Sequence, residues 1–329
     1  NGNGVLFEYD PSGGGTHTVL YSFEFDSGAL PRGSLMESDG KFYGMTSEGG
    51  AAEMGVLFEY DTTTNGYTVL VEFEKDLLGD AFRGRLIESG GKLYGTARNG
   101  GTFNAGLIFE YDPAGDGTYT ILHHFDEDNG ESPYGGLTES GGKFYGTTRD
   151  GGNDDEGTLF VYDPAGGGTY TVLHHFDYLN GSSPYCHLIE SGGKFYGTAR
   201  NGGDFEFGVL FEYDPSGGGT YTVLHHFDET NGASLYGSLI EVGGKFYGTT
   251  IEGGDFGEGV LFEYAPSGGG IYTVLHHFDY TNGSEPYGTL LASGGKFYGA
   301  TRFGGNNDAG VLFEYDPSGG GAYTPLHHF

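Results

Sequence analysis

The stretch Gly142-Lys143-Phe144-Tyr145-Gly146-Thr147-Thr148, followed by Gly157-Thr158-Leu159-Phe160-Val161-Tyr162, recurs through the whole chain. The first motif, G-K-[FL]-Y-G, begins at Gly40, Gly91, Gly142, Gly193, Gly244 and Gly295. The second, G-[VLT]-[LI]-F-[EV]-Y, begins at Gly4, Gly55, Gly106, Gly157, Gly208, Gly259 and Gly310. Every step is 51 residues, so the 329 residues are six units and a remainder of 23. A fixed period of this length is the signature of a repeat architecture and takes precedence over residue-level readings.

Within one unit, Gly136 to Phe176, four short strands can be read. Strand a is Leu137–Glu139 and strand b is Lys143–Thr148, separated by the turn signal Ser140-Gly141-Gly142. A Gly-rich loop leads to strand c, Thr158–Tyr162; the turn 163–168 then leads to strand d, Tyr170–Phe176. Short runs rich in aromatic and β-branched residues, bounded by Gly, Pro, Asn and Asp, are strand signals. No window shows a helical period. Four antiparallel strands every 51 residues predict an all-β fold, a β-propeller of four-stranded blades. The alternative, a β-solenoid, has shorter coils without such hairpins.

The predicted organisation is a single propeller domain over 1–329. Residues 33–329 supply six complete repeats, and 1–25 supply only a c–d hairpin, a partial blade. A seven-bladed ring lacking the inner strands of one blade is preferred to a closed six-bladed ring with a spare hairpin. Asn1 falls inside a b–c loop, and an intact product would rarely begin mid-blade.

Composition bounds the function classes. The 68 Gly and 11 Pro make about a quarter of the chain, but 26 Tyr and 26 Phe argue against disorder. No stretch approaches the ~20 apolar residues of a membrane helix. A net charge of -32 lacks the basic footprint of nucleic-acid binding and opposes anionic membrane surfaces. The one cysteine, Cys186, cannot form an internal disulfide.

The string G-K-F-Y-G-T-T, the Gly-Gly doublet, L-F-x-Y-D-P-x-G-G and Y-T-V-L-H-H-F-D together resemble the GloVer-type tandem repeats of bacterial surface and secreted proteins. The resemblance covers the whole chain. A weaker similarity, to kelch repeats, rests on the Gly-Gly doublet and Tyr-Asp-Pro. Kelch repeats carry a Trp after that Tyr-Asp, where Tyr119, Tyr170, Tyr221, Tyr272 and Tyr323 stand here. The GloVer-type resemblance implies a propeller-like, exported, cell-surface protein with no catalytic residues.

Comparison between repeats locates candidate sites. The a–b and c–d turns are nearly constant, whereas variation concentrates in the b–c and d–a loops, which antiparallel pairing puts on one face. Arg98, Arg149, Arg200 and Arg302 share one b–c position, with Ser47 and Ile251 at the other two. The rigid guanidinium fork suits carboxylate or phosphate; the alternative is pairing with acids such as Glu139 or Asp154. Phe103, Phe205, Phe256 and Phe303 in the same loops are candidates for stacking on a ligand. Cys186 and His187 interrupt the repeat on this face, though neighbours in an extended chain rarely form a nucleophile pair. The pairs His123-His124, His174-His175, His225-His226, His276-His277 and His327-His328 point to opposite faces of their strands. They read as structural, one imidazole between blades and one nearer solvent. Asp126, Asp128 and Asn129 offer oxygen ligands to calcium, against a plain Asx turn.

The expected function is a non-catalytic, extracellular or cell-surface module that binds a glycan or surface partner. The alternative is a self-assembling structural subunit of a filament or surface layer, and an enzyme ranks last. No cofactor is expected apart from calcium.

Overall fold

The structure, a computed structural model, describes every residue except 1, 12–14, 75–78, 80, 81, 83, 116 and 319. It is a β-propeller of four-stranded antiparallel blades. The tip of the first c–d turn, at 12–14, lies outside the described residues. The chain divides into two compact units, 1–175 and 176–329.

The first unit begins with a two-stranded sheet, β1 (Val5–Asp10) and β2 (Thr16–Ser22). Three blades follow, spanning 36–72, 87–124 and 138–175, and the second unit holds blades at 189–226, 240–277 and 291–328. In blade 138–175 the strands are Thr138–Ser140, Lys143–Thr148, Thr158–Asp163 and Thr169–His175, within one residue of the sequence reading. Sheet order follows chain order, a-b-c-d. Within each unit, consecutive a strands meet along the inner edges.

Two features were not read from the sequence. Ala29–Pro31 pairs with the end of Lys41–Glu48 and makes the first blade five-stranded. The c–d turn of that blade is one residue shorter than the others: Asp61 pairs with Gly66, whereas Asp112 pairs with Thr118. Asn65 closes it at φ 54, a left-handed conformation Asn tolerates better than most residues. The motif spacing conceals this deletion, because the following d–a segment restores the residue.

The alternation of strand c sets the core. Leu159, Phe160 and Tyr162 are buried, and Val161 between the last two is only partly so. Each c–d pair carries a bulge just before the central Phe, for example between Leu159 and Phe160. A bulge sharpens the local twist. Blades pack through aromatics. Phe125, just past strand d of one blade, meets Phe160 of the next at 5.3 Å edge-on and Tyr170 at 5.6 Å. Phe227 with Phe262 and Phe278 with Phe313 repeat the edge-on contact at 5.4 Å.

Glycine is required where strand b crosses this core. A Cβ on Gly146 would lie 2.6 Å from Phe160 Cζ. The aromatic Phe-Tyr of strand b must therefore be followed by a residue without a side chain.

Candidate functional site

The arginines gather on tyrosines. Tyr134, Tyr185, Tyr236 and Tyr287 stand just before strand a of four blades, at the same 51-residue interval. In the second unit Arg200 lies over Tyr236 of the next blade, 4.7 Å from the ring centroid, and near Tyr185 at 5.7 Å. Tyr185, Tyr236 and Tyr287 continue as a ladder, with centroids 4.5 and 4.7 Å apart. Arg302 lies between Tyr287 at 5.3 Å and Phe303 at 4.6 Å. In the first unit Arg98 and Arg149 flank Tyr134 at 5.1 and 5.8 Å. Ile251 is buried where the other arginines stand, so the contact of Tyr236 with Tyr287 carries no cation from that position.

The arginines differ in electrostatic state. Arg149 binds Asp150 through Nε, at 2.7 Å to both carboxylate oxygens, and through Nη2. Arg302 reaches Glu285 at 3.4 Å. The acids named from the sequence, Glu139 and Asp154, are not those partners, because the d–a segment preceding strand a supplies Glu285 and the b–c loop itself supplies Asp150. Among the described residues Arg98 and Arg200 make no ion pair, and the Nε of each is buried without a hydrogen-bond partner. Stacking on tyrosine leaves the in-plane N–H edge of a guanidinium available to a planar anion. Burial, with Tyr185 as the next contributor, pushes the Tyr236 hydroxyl up to about 12, so it remains a neutral donor.

Sequence reasoning missed these tyrosines, although their 51-residue recurrence was available. It also missed Arg85, whose stem runs over Gly136: a Cβ there would lie 2.6 Å from Arg85 Cγ. Behind the ladder, backbone links join the inner edges. His187 N–H donates to Ser238 Oγ at 2.9 Å, and Ser238 N–H donates to Thr289 Oγ1 at 3.1 Å.

The loop phenylalanines belong to a different part of the face. Phe103, Phe205 and Phe256 sit exposed at b–c loop tips, Phe103 to 64%. Each tip is fastened to its own blade's outermost strand, where His124, His226 and His277 accept backbone N–H bonds at Nδ1 from Thr102, Asp204 and Asp255. The structure thus brings Phe303 to an arginine and holds the other three at the blade's outer side.

The remaining candidates are built into the fold. Cys186 is buried; its thiol donates to Thr198 O at 3.2 Å and accepts from Thr198 N–H, and burial pushes its pKa up. His187 is partly buried beside it. Asp126 accepts at Oδ1 from Asn129 N–H at 2.9 Å and from Asn129 Nδ2 at 2.8 Å. The Asn129 carbonyl accepts from Tyr170 at 2.8 Å, and Asp128 is exposed. This is an Asx turn clamped by the next blade, and Asp177, Asp228 and Asp279 form the same turn. Among the described residues no group of three or more His, Cys, Asp or Glu is placed to hold a metal ion.

The chain matches the Gloeobacter/Verrucomicrobia repeat, the GloVer-type repeat, over residues 1–189 and 165–329. No curated protein sequence matches it. Among solved structures it is similar to the extracellular domain of a protein described as a one-component system from B. thetaiotaomicron. That match has TM-score 0.63 and 15% identity over 94% of this chain, and spans 36% of the other. This chain is thus about a third of that protein's length. A Bacteroides uniformis protein provisionally described as a 6-phosphogluconolactonase matches with TM-score 0.63 and 16% identity, over 98% of this chain and 90% of that one. A chain of the nidogen/laminin complex matches with TM-score 0.54 and 14% identity, over 90% and 92%. At these identities the likeness is one of fold. No helix among the described residues is long and apolar enough to cross a membrane.

Proposed function

The chain belongs to the Gloeobacter/Verrucomicrobia repeat family, and from that premise we propose that it is a non-catalytic, extracellular binding propeller whose arginine–tyrosine ladder takes an anionic glycan. The observation that carries the reading is Arg200, lying over Tyr236 beside Tyr185 and making no ion pair among the described residues of a chain of net charge -32. A cation held off the abundant acids supports capture of an external anion. Tyrosine faces and hydroxyls beside it suit a sugar ring. The likeness to an extracellular domain and the acidic surface support an extracellular setting. Sheet β1–β2 matches the outer half of a blade, which supports the seven-bladed reading.

Calorimetric titration with polygalacturonate, a sulfated glycan and neutral dextran tests the proposal. Saturable, salt-sensitive binding of an acidic polymer, weakened by Arg98→Ala and Arg200→Ala, is expected. Absence of binding, or binding indifferent to both substitutions, overturns it. The second reading, a self-assembling structural subunit, draws on the open edge of β1.

A further inference from the structure

The outer hairpin at 5–22 carries the marks of a strand it does not have. In the complete blades strand c lies between strands b and d, but β1 pairs with β2 alone among the described strands. Antiparallel pairing in blade 36–72 sets Gly44 opposite Phe58, Tyr43 opposite Glu59 and Phe42 opposite Tyr60. The corresponding residues of β1 are Phe7, Glu8 and Tyr9.

The positions equivalent to Phe58, Glu59 and Tyr60, which strand b covers elsewhere, are more open here, although Leu6 stays buried. Phe7 is 36% exposed, whereas Phe58, Phe109, Phe160, Phe211, Phe262 and Phe313 are at most 1% exposed. In five blades the glutamate of strand c binds the lysine of strand b at 2.6–2.8 Å, as in Lys41–Glu59 and Lys194–Glu212. Where Val161 replaces that glutamate, Lys143 turns to Asp163 at 3.0 Å. Glu8 makes no ion pair among the described residues. The neighbouring blade shows the same gap. Tyr94, Tyr196 and Tyr247 of strand b meet the Phe of the next blade's strand b at 4.3–4.5 Å. They also cluster with its inner leucine, as Tyr196 does with Leu239. At the hairpin the recipients of such a tyrosine are Phe42, only partly buried, and Leu35, 40% exposed against at most 4% for its five equivalents. A cleft of about 400 Å³ lies here, lined by Leu6, Phe7, Leu20, Leu35, Phe42 and Tyr60 among others.

We propose that this edge is an acceptor for an extended strand reading Lys-aromatic-Tyr-Gly, added antiparallel to β1 with its glycine opposite Phe7 and its tyrosine opposite Glu8. The lysine meets Glu8, the tyrosine ring fills the cleft against Phe42 and Leu35, and the glycine passes over the Phe7 ring. Backbone pairing along an open edge supplies affinity, and the side-chain positions supply register. The five strands of this sequence in the chain, and the sixth with Leu93 at the aromatic position, are already paired in blades. A second copy could donate one only by opening a blade, so the strand comes from outside residues 1–329.

The test is anisotropy titration of the full chain with a labelled peptide of residues 140–148, Ser-Gly-Gly-Lys-Phe-Tyr-Gly-Thr-Thr. Saturable one-to-one binding is expected. Gly146→Val in the peptide should weaken it roughly tenfold or more, because the new side chain overlaps the Phe7 ring. Lys143→Glu in the peptide should also weaken it, and Glu8→Lys in the protein should reverse the preference between the two peptides. Failure to saturate by about 1 mM peptide overturns the proposal, as does equal binding of the Gly146→Val peptide. A dimer of the chain that excess peptide does not dissociate overturns it in favour of a second copy as occupant.

Discussion

The rings of His276 and Tyr323, from adjacent blades, lie 3.9 Å apart and 2° from parallel. His225 with Tyr272 and His123 with Tyr170 repeat the stack at 4.0 Å. The other histidine of each pair pins the b–c loop, so the two imidazoles divide as neighbours in a strand must. Burial lowers the His123 and His276 pKa from 6.5 to about 4.

These stacks make stability depend on pH. A depressed histidine pKa means that folding releases a proton whenever the unfolded chain holds one. The stacks contribute fully above pH 6.5. As pH falls from 6.5 to about 4 the unfolded chain gains protons that the folded one refuses, and stability is lost. Tyr21 stacks on Tyr67 in the same place, at 4.0 Å and 6°, so tyrosine fits there. His123→Tyr with His276→Tyr should keep the melting temperature near neutral pH and flatten its fall across this window. Parallel thermal melts of the two proteins that decline equally between pH 6.5 and 4 would refute the assignment.

The two glycines around strand b should respond oppositely. Gly146 faces Phe160 with no room for a methyl group, so Gly146→Ala should cost about 1–3 kcal/mol. Gly141, in the a–b turn at φ 60, has open space within 4 Å of the point a Cβ would occupy, and Asn tolerates that φ. Gly141→Asn should therefore lie within about 0.5 kcal/mol of the parent. Urea denaturation separates the two, and equal losses would contradict the packing account.

The fold was legible because its punctuation is repeated. Gly-Gly turns and aromatic strands at one spacing placed the strands of blade 138–175 to within a residue. The five-stranded first blade was not legible: the pairing of Ala29 with Glu48 recurs at the repeat interval as the single bridges Glu131 with Asp150, Ser182 with Asn201, Ala233 with Glu252 and Ser284 with Phe303, and only Ala29–Pro31 extends it into a strand. Of the candidate site, the arginines were visible as four cations sharing one b–c position in an acidic chain. Tyr134, Tyr185, Tyr236 and Tyr287 were overlooked because a recurring tyrosine looks like core, and only the position just before strand a sets them beside the guanidinium. Phe103 and Arg98 share a loop in sequence, but His124 draws the loop's tip outward to strand d.

Cys186 should be chemically silent in the folded protein. Its sulfur is buried, is held by both backbone groups of Thr198, and has a raised pKa, so the reactive thiolate is scarce. Ellman's reagent at pH 8 should label it only after denaturant is added. Rapid labelling of native protein would place the thiol at an accessible site and reopen Cys186 and His187 as ligand contacts.

The ladder distinguishes a stacked guanidinium from a mere positive charge. Lysine in place of Arg200 keeps the charge but gives up the planar fork and its contact with Tyr185 and Tyr236. If the arginine presents its edge to a carboxylate or sulfate, Arg200→Lys should lose most of the affinity that Arg200→Ala loses, about tenfold or more. If charge alone attracts the polymer, lysine should restore binding nearly to the parent level, with the same salt dependence. Arg149→Ala is the internal comparison. Asp150 already occupies that guanidinium, so its removal should change affinity less than removal of Arg200. Equal losses at Arg149 and Arg200 would show that the ion pair with Asp150 opens for the ligand, and that the absence of a paired acid at Arg200 is not what selects the site.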